Sequence, residues 1–270
     1  LKPHPDHKRY WFKDPREGLL CFQLSGNDPR ELGEAVKRAT EHGADLIDLN
    51  CGCPVKKIRS KGSGSKLLTD PQTLFKLITA MKQNTPVPVS IKIRVEGKSN
   101  DRFHHELIAV IKESGLDFLT VHGRHWTEHY ETPCQHEHIA FFANELSIPV
   151  IGNGDVADLA SLKTMLATGC QGIMIGRAGV GQPWLSKELY AALNHLPFTP
   201  PNAHEIGSYF LQHIRELSEL LGNEKMALFQ ARQLGKYYAR SLQERAAWVS
   251  ALHGCEDLRS LAQCISEHFN

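Results

Sequence analysis

The sequence predicts an α/β fold in which parallel strands alternate with helices, followed by a separate helical segment. Six short apolar runs alternate with amphipathic stretches between residues 19 and 194. This alternation is typical of parallel strands joined by right-handed helical crossovers. A proline-rich stretch then interrupts the pattern, and beyond it apolar residues recur at helical spacing. We therefore expect an α/β domain at 1–196, a linker at 197–203 and a helical domain at 204–270.

The apolar runs and the residues that end them place each element in order. Strands are expected at 19–24, 45–49, 87–95, 117–121, 149–151 and 172–175. Helices are expected at 28–41, 71–83, 103–114, 138–146 and 159–168. Asp28 and Pro29 open the first of these helices, because proline is favoured in the first helical turn.

Composition argues against a membrane protein, a secreted disulfide scaffold and a globally basic nucleic-acid binder. No apolar run approaches the roughly 18 residues that span a bilayer. The seven cysteines are an odd number without paired spacings, which favours reduced thiols in a cytoplasmic protein. Lys and Arg number 31 against 30 Asp and Glu, so any surface that binds nucleic acid must be local.

The motif Asn50-Cys51-Gly52-Cys53-Pro54 places thiols where a strand ends. Proline lacks a backbone donor and glycine permits a close backbone approach, so the preceding apolar run must stop here. In parallel α/β folds, active sites are built at the C-terminal ends of strands. Because side chains alternate along a strand, Cys51 is expected to pack in the core together with Cys21 and Cys170. Cys53 is then either a reactive thiol or another small buried residue.

Polar residues follow every predicted strand and are expected to surround one site. Carboxyl ends of parallel strands meet at the same edge of a sheet. Glycines that expose backbone N–H groups beside an arginine can form a phosphate site. Besides the cysteine motif, the clusters are Gln23-Leu24-Ser25-Gly26, Lys92-Ile93-Arg94, His122-Gly123-Arg124, Asn153-Gly154-Asp155 and Gly176-Arg177.

In order and spacing these motifs, with Gly62-Ser63-Gly64 between them, resemble those of the tRNA-dihydrouridine synthases. The resemblance extends from about Leu20 to Trp184 and is looser after the linker. It implies an FMN-binding (β/α)8 TIM barrel followed by a C-terminal α-helical domain that binds tRNA. The family's first two barrel strands have no counterpart in the sequence. We therefore expect that an N-terminal segment precedes it, because six strands do not close such a barrel without strain.

The resemblance also implies a reaction and the residues that carry it. NADPH reduces FMN, and the flavin then delivers a hydride to C6 of a uracil while Cys53 protonates C5. A thiol is ordinarily protonated at neutral pH and can act as a general acid. Alternatively, Gln23 and His122 satisfy buried backbone groups, and Lys92 pairs with Asp48. The residues expected to bind the cofactor are Gln23, Lys92, His122, Asn153, Gly154, Asp155, Gly176 and Arg177.

Two local groups of cations indicate that the chain binds tRNA. We expect the chain to be monomeric. The first group of cations lies in the segment that follows Cys53, which either contacts RNA phosphates or is simply a solvated surface loop. The cations of the second group, which we call the basic stripe, recur at i, i+4 and i+8 on a predicted helix. Asn50 and Arg94 are expected to meet the uracil or its flanking nucleotides. The cations concerned are Lys56, Lys57, Arg59, Arg232, Lys236 and Arg240.

Two functions other than tRNA reduction are compatible with the sequence, whereas a metal site is not expected. A flavin barrel could act on a small molecule such as a dihydroorotate- or enone-type substrate, and a barrel without catalysis could bind RNA. The basic loop and the helical segment favour tRNA reduction over the first. No metal is expected, because the spacing of His125, His129, Cys134 and His136 does not match a structural zinc site.

Overall fold

The computed structural model describes residues 10–97 and 102–270. The chain divides into two compact units. The first unit is Lys13–Ile175, and the second is Gly176–Asn270 with residues 10–12. Within the described residues, no helix is both long enough and apolar enough to cross a membrane.

The first unit is built on a six-stranded parallel sheet. Its strands lie side by side in chain order, as in a barrel, and the order does not reverse as it does in a doubly wound sheet. The α/β prediction and all six predicted strands are therefore confirmed. The strands are β1 (Cys21–Leu24), β2 (Leu46–Cys51), β3 (Val89–Val95), β4 (Phe118–His125), β5 (Val150–Asn153) and β6 (Gly172–Met174).

Helices connect these strands, and their start signals are those visible in the sequence. Asp28 Oδ1 accepts a hydrogen bond from the backbone N–H of Glu31, and Asp70 caps the helix that begins at Pro71 in the same way. Two short elements were not predicted, a helix at Lys56–Arg59 and a 3₁₀ turn at Gly64–Thr69. One or two helical turns are too short to show a periodic pattern in the sequence. The helices are α1 (Pro29–Glu41), α2 (Lys56–Arg59), α3 (Pro71–Gln83), α4 (Arg102–Ser114), α5 (His136–Glu145) and α6 (Leu159–Leu166).

The two faces of the sheet differ sharply in chemistry. One face is apolar and fully buried, with Ile47, Leu49 and Cys51 on β2 and similar residues on β3 and β4. The alternate positions carry polar groups, which include Asp48, Ser90, Lys92, Arg94, Thr120 and His122. Side chains alternate between the faces of a strand, so this polar face gathers several of the predicted site residues.

The predicted burial of three cysteines is confirmed for two of them. Cys51 and Cys170 are buried, whereas Cys21 is exposed. The prediction was wrong for Cys21 because β1 is an edge strand among the described residues, paired with β2 alone. An apolar run in the sequence does not show whether its strand has a neighbour on both sides.

The second unit is helical in its described part and has its own aromatic core. Trp248 is fully buried, and its ring meets the ring of Phe269 edge-on with centroids 4.9 Å apart. Phe210 and Tyr238 complete this cluster. The helices are α7 (Leu185–Leu193), α8 (Ala203–Leu221), α9 (Glu224–Tyr238), α10 (Arg245–His253) and α11 (Leu258–His268).

Candidate active site

Cys53 lies just beyond the C-terminal end of β2, in a loop held from two sides. Asn50 Oδ1 accepts hydrogen bonds from the backbone N–H groups of Cys53, at 2.9 Å, and Gly52, at 3.2 Å. On the other side, Ser65 donates to the Cys53 carbonyl through its backbone N–H at 3.1 Å and its hydroxyl at 3.0 Å. The Cys53 side chain is half-buried. A thiol is therefore held at the sheet edge where parallel α/β folds place their active sites.

Gly64 is required by the close packing of this loop. Its φ is +63°, and an added Cβ would lie 2.7 Å from the Cys53 carbonyl oxygen. Gly52 is less tightly constrained, since a Cβ there would lie 3.2 Å from the carbonyl carbon of Ile93 on β3. The glycines of the two sequence motifs thus let the backbone around Cys53 pack against itself and against the neighbouring strand.

A hydrogen-bond chain connects this loop to a buried carboxylate. Asn50 Nδ2 donates to Gln23 Oε1 at 3.0 Å, and Gln23 Nε2 donates to Asp48 Oδ2 at 2.8 Å. Ser90 Oγ donates to the second oxygen of Asp48 at 2.6 Å. Burial raises the pKa of Asp48, although its hydrogen bonds to Ser90 and Gln23 oppose the shift. Gln23 therefore satisfies a buried side chain and not the backbone group that the alternative reading of the sequence suggested.

Lys92 stands on the same polar face, in register with Asn50 on the neighbouring strand. Burial lowers the pKa of its ammonium group to about 8, and the nearby Arg94 contributes to the shift. The charge of Asp48 opposes it. The attraction between Lys92 and Asp48 therefore supports the alternative in which these two residues interact. The Lys92 ammonium group can still contact a bound ligand.

His122 is a neutral imidazole in the centre of this face. Its Nε2 lies 3.1 Å from Arg124 Nη1, and a guanidinium only donates, so Nε2 accepts and the proton lies on Nδ1. Burial, together with the charges of Lys92, Arg94 and Arg124, lowers the pKa of His122 to about 3. The polar face thus carries a positive potential around an uncharged histidine.

Arg124 is the site residue that sequence reasoning did not single out. It is 1% exposed, its Nη2 forms an ion pair with Asp155, and its Nε donates to the carbonyl of Thr132. It follows His122 by two positions on β4, so strand alternation could have placed both on one face. The structure assigns the Asp155 carboxylate to this arginine and to the backbone N–H of Cys134, at 3.0 Å.

The Asn153-Gly154-Asp155 cluster lies beside His122, because Asn153 pairs with His122 in the register of β4 and β5. Asn153 Nδ2 donates to the carbonyl of Met174 at 2.8 Å and so connects β5 to β6. Gly154 has φ +136°, and a Cβ there would lie 2.5 Å from Cys134 Sγ. The cluster is therefore brought to the same sheet edge as Lys92 and His122.

In the segment for which no metal site was expected, His125 and Cys134 make contacts within the protein. His125 hydrogen-bonds to Thr127 through Nδ1 at 2.6 Å, and Cys134 Sγ lies 3.6 Å from the Asn153 carbonyl oxygen. Among residues 10–97 and 102–270, no group of three or more potential metal ligands occurs.

The predicted cations differ in what their charged groups contact. Lys56 and Lys57 are exposed. Arg59 is half-buried, with its Cζ 3.5 Å from the ring centroid of Trp126. Arg94 is 4% exposed and donates to the carbonyls of His125 and Glu128 at 2.9 and 3.1 Å.

Gly176 and Arg177 belong to the second unit. The same unit contains the predicted basic stripe, which consists of Arg232, Lys236 and Arg240. Arg240 donates to the carbonyls of Arg177 and Ala178 at 2.9 and 2.6 Å. Arg232 is half-buried and donates to the Cys255 carbonyl at 3.1 Å. Lys236 is exposed. The three cations thus lie along one helical stretch but do not present equivalent groups to solvent.

Comparison with known proteins places this geometry in a family. A family model described as dihydrouridine synthase matches residues 1–270. Relatives named tRNA-dihydrouridine synthase B are similar: the one from Pasteurella multocida is 31% identical over 94% of this chain and 76% of the relative. The one from Pseudomonas aeruginosa is 35% identical over 84% and 69%, and the one from Escherichia coli K12 is 34% identical over 77% and 65%.

The alignments thus span about two thirds to three quarters of these relatives' lengths. Among solved structures, that of DHODH in complex with ferulenol from Eimeria tenella matches with a TM-score of 0.51 at 14% identity. The match covers 70% of this chain and 60% of that one, and it bears on the fold alone. The family match over the whole chain and the identity to these relatives show that the chain belongs to the dihydrouridine synthase family.

Proposed function

We propose that this protein reduces uridines in tRNA to 5,6-dihydrouridine, with FMN as cofactor and NADPH as reductant. Membership of the dihydrouridine synthase family supports the reaction class. The observation that carries the proposal is the placement of Cys53. Its loop is anchored by Asn50 and Ser65 at the end of β2, beside the strand that bears Lys92.

The residues of the polar face suit FMN. A reduced flavin ring and its phosphate carry negative charge, and this face carries the cations Lys92, Arg94 and Arg124, whose charges add to the effect of burial in lowering the pKa of His122. When bound, FMN supplies the hydride that reaches C6 of the uracil. Lys92 would stabilise negative charge on the ring, and Gln23 and His122 would hydrogen-bond its polar edge. We propose that the phosphate is held by Asn153, Gly154, Gly176 and Arg177, and that Asp155 belongs to the cofactor site through its ion pair with Arg124.

Cys53 is proposed to deliver the proton that completes the reduction. A thiol that is protonated in the ground state can donate from Sγ to C5 of the uracil. Asn50 holds the backbone of Cys53 through Oδ1 and uses one Nδ2 hydrogen on Gln23. An amide nitrogen carries a second hydrogen, which we assign to an oxygen of the uracil edge.

The exposed lysines are the favoured contacts for the tRNA backbone. Lys56 and Lys57 follow Cys53, and Lys236 lies in the helical part of the chain. Arg94, Arg232 and Arg240 have guanidinium groups bonded to carbonyls within the protein. We propose that these three shape the surfaces that meet the nucleic acid. A target uracil must leave its stack to reach Cys53, at a cost of a few kcal/mol.

The remaining architecture is proposed on the same family basis. We propose that the six-stranded sheet is part of a (β/α)8 barrel and that residues 204–270 form a helical tRNA-binding domain. The helices of that segment have an aromatic core of their own, which supports the second proposal. We further propose a monomer that acts in the cytoplasm, where its tRNA substrate is found.

Substitution of Cys53 tests the function. Cys53→Ala should yield a yellow, flavin-bound protein that NADPH still reduces but that forms no dihydrouridine in unmodified tRNA. Cys21→Ala removes an exposed thiol from β1 and is the matched control, for which we expect wild-type turnover. Normal dihydrouridine formation by Cys53→Ala would remove the proton-donor role. A full-length wild-type protein that binds no flavin would refute the function itself.

A further inference from the structure

Two loops beside Cys53 are joined through one arginine. The guanidinium of Arg59 on α2 stacks on Trp126, which directly follows β4, with Cζ 3.5 Å from the ring centroid. Arg59 Nη1 donates to Ser65 Oγ at 2.6 Å, and Ser65 Oγ donates to the Cys53 carbonyl at 3.0 Å. We call Trp126, Arg59 and Ser65 the Arg59 clasp. It connects an aromatic ring across the site to the backbone of the proposed proton donor.

The far end of the clasp is itself held in place. The segment after β4 is bound through its backbone carbonyls by Arg94 on β3, at His125 and Glu128, and by Arg124 on β4, at Tyr130 and Thr132. Trp126 therefore belongs to a segment that is hydrogen-bonded to two strands of the sheet. A ring in this position can restrain the loop that carries Arg59.

Arg59 differs from the two lysines that precede it in sequence. Lys56 and Lys57 extend into solvent, whereas Arg59 is half-buried beneath the indole with one nitrogen committed to Ser65. A planar guanidinium stacks on an aromatic ring and keeps its hydrogen bonds in the plane, which a lysine ammonium cannot do. The geometry therefore suits a fixed internal contact better than a phosphate contact.

We propose that Arg59 and Trp126 are positioning residues that hold Cys53 in register with its substrate. The inference rests on the proposed function and adds a role that the basic-loop prediction did not contain. When Arg59 or Trp126 is replaced, Ser65 can still donate to the Cys53 carbonyl, but α2 loses its attachment to the segment after β4. The Cys53 loop then opens more often, so the thiol becomes more accessible and less well aligned. The clasp makes no contact with Lys92 or His122, so FMN affinity should be unchanged.

The test measures the alkylation rate of Cys53 in the full chain, with iodoacetamide and peptide mass spectrometry. Arg59→Ala and Trp126→Leu should each raise the rate about three- to tenfold, the range expected for a lost cation–π contact. The double variant should not exceed Arg59→Ala, because Trp126→Leu removes only the stack, which Arg59→Ala already removes together with the hydrogen bond to Ser65. Trp126→Phe keeps a ring and should stay near the wild-type rate. Tyr190→Leu is the control, since it removes an exposed ring from α7 in the second unit and should not affect the rate.

A second measurement separates the clasp from direct RNA binding. Arg59→Lys preserves the charge but not the planar stack, so the clasp predicts lower kcat and faster alkylation with the KM for tRNA unchanged. Wild-type kcat in Arg59→Lys together with a raised KM in Arg59→Ala would identify a phosphate contact and overturn the proposal. Unchanged alkylation in both Arg59→Ala and Trp126→Leu, with wild-type melting by circular dichroism, would also overturn it. Failure of the proposed function would appear separately, as a wild-type protein that makes no dihydrouridine.

Discussion

Replacing His122 by glutamine should change how the stability of the protein depends on pH. His122 is 7% exposed, and burial together with three nearby cations lowers its pKa to about 3. An unfolded histidine titrates near 6.5. Glutamine does not titrate, and its side-chain oxygen can still accept the hydrogen bond from Arg124. The substitution therefore removes the titration and retains the acceptor.

The size and sign of the effect follow from proton linkage. Above about pH 6.5 the imidazole is mostly neutral in both states, so it hardly affects the pH dependence of stability. Below that pH the unfolded chain binds a proton that the folded chain refuses until about pH 3. Unfolding then becomes more favourable by about 1.4 kcal/mol per pH unit. Between pH 7 and pH 5, His122 should remove about 2 kcal/mol of stability.

Urea unfolding of wild type and His122→Gln at pH 7 and pH 5 measures this difference. The other ionisable groups are the same in both proteins, so their contribution cancels in the comparison. We expect the wild type to lose about 2 kcal/mol more than the variant over this interval. His204→Gln replaces an exposed histidine and should keep the wild-type behaviour. Equal losses in wild type and His122→Gln would show that His122 is readily protonated in the folded protein and would refute the neutral imidazole.

Two further substitutions test the packing around this histidine, both by chemical denaturation. Gly154→Ala should cost about 2 kcal/mol or more, because its φ is +136° and the new Cβ would meet Cys134 Sγ at 2.5 Å. Gly115→Ala, also at positive φ but with no atom within 4 Å, should cost only about 1 kcal/mol. Asp155→Ala should cost about 3 kcal/mol, because it leaves the buried Arg124 guanidinium without its carboxylate. A loss below 1 kcal/mol would show that water or another group replaces Asp155.

Local sequence signals predicted the elements of the first unit well. Alternation of apolar runs located all six strands, and Asp28 before Pro29 located the start of α1. The short helix α2 was missed because four residues make too few turns to show a period. Its absence from the prediction mattered, since α2 carries Arg59 away from solvent and towards Trp126.

The site was predicted in outline but not in its internal connections. Strand alternation correctly placed Cys51 in the core, which leaves Cys53 as the candidate thiol. The hydrogen bond between Gln23 and Asp48 joins residues 25 positions apart, and the contact of Arg59 with Trp126 joins separate loops. Neither spacing has a period that a sequence pattern could show, because both pairs meet only through the folding of the sheet.

The sequence by itself determined the α/β class, the order of the strands and the thiol at the end of β2. These depend on local propensities, alternation and the backbone limits of glycine and proline, which act over a few residues. Only the tertiary structure decided which polar groups are buried and what satisfies them. It gave Arg124 to Asp155 and His122, and Arg240 to the carbonyls of Arg177 and Ala178. A charged side chain looks the same in sequence whether it faces solvent or a buried carbonyl, and burial is a property of the assembled fold.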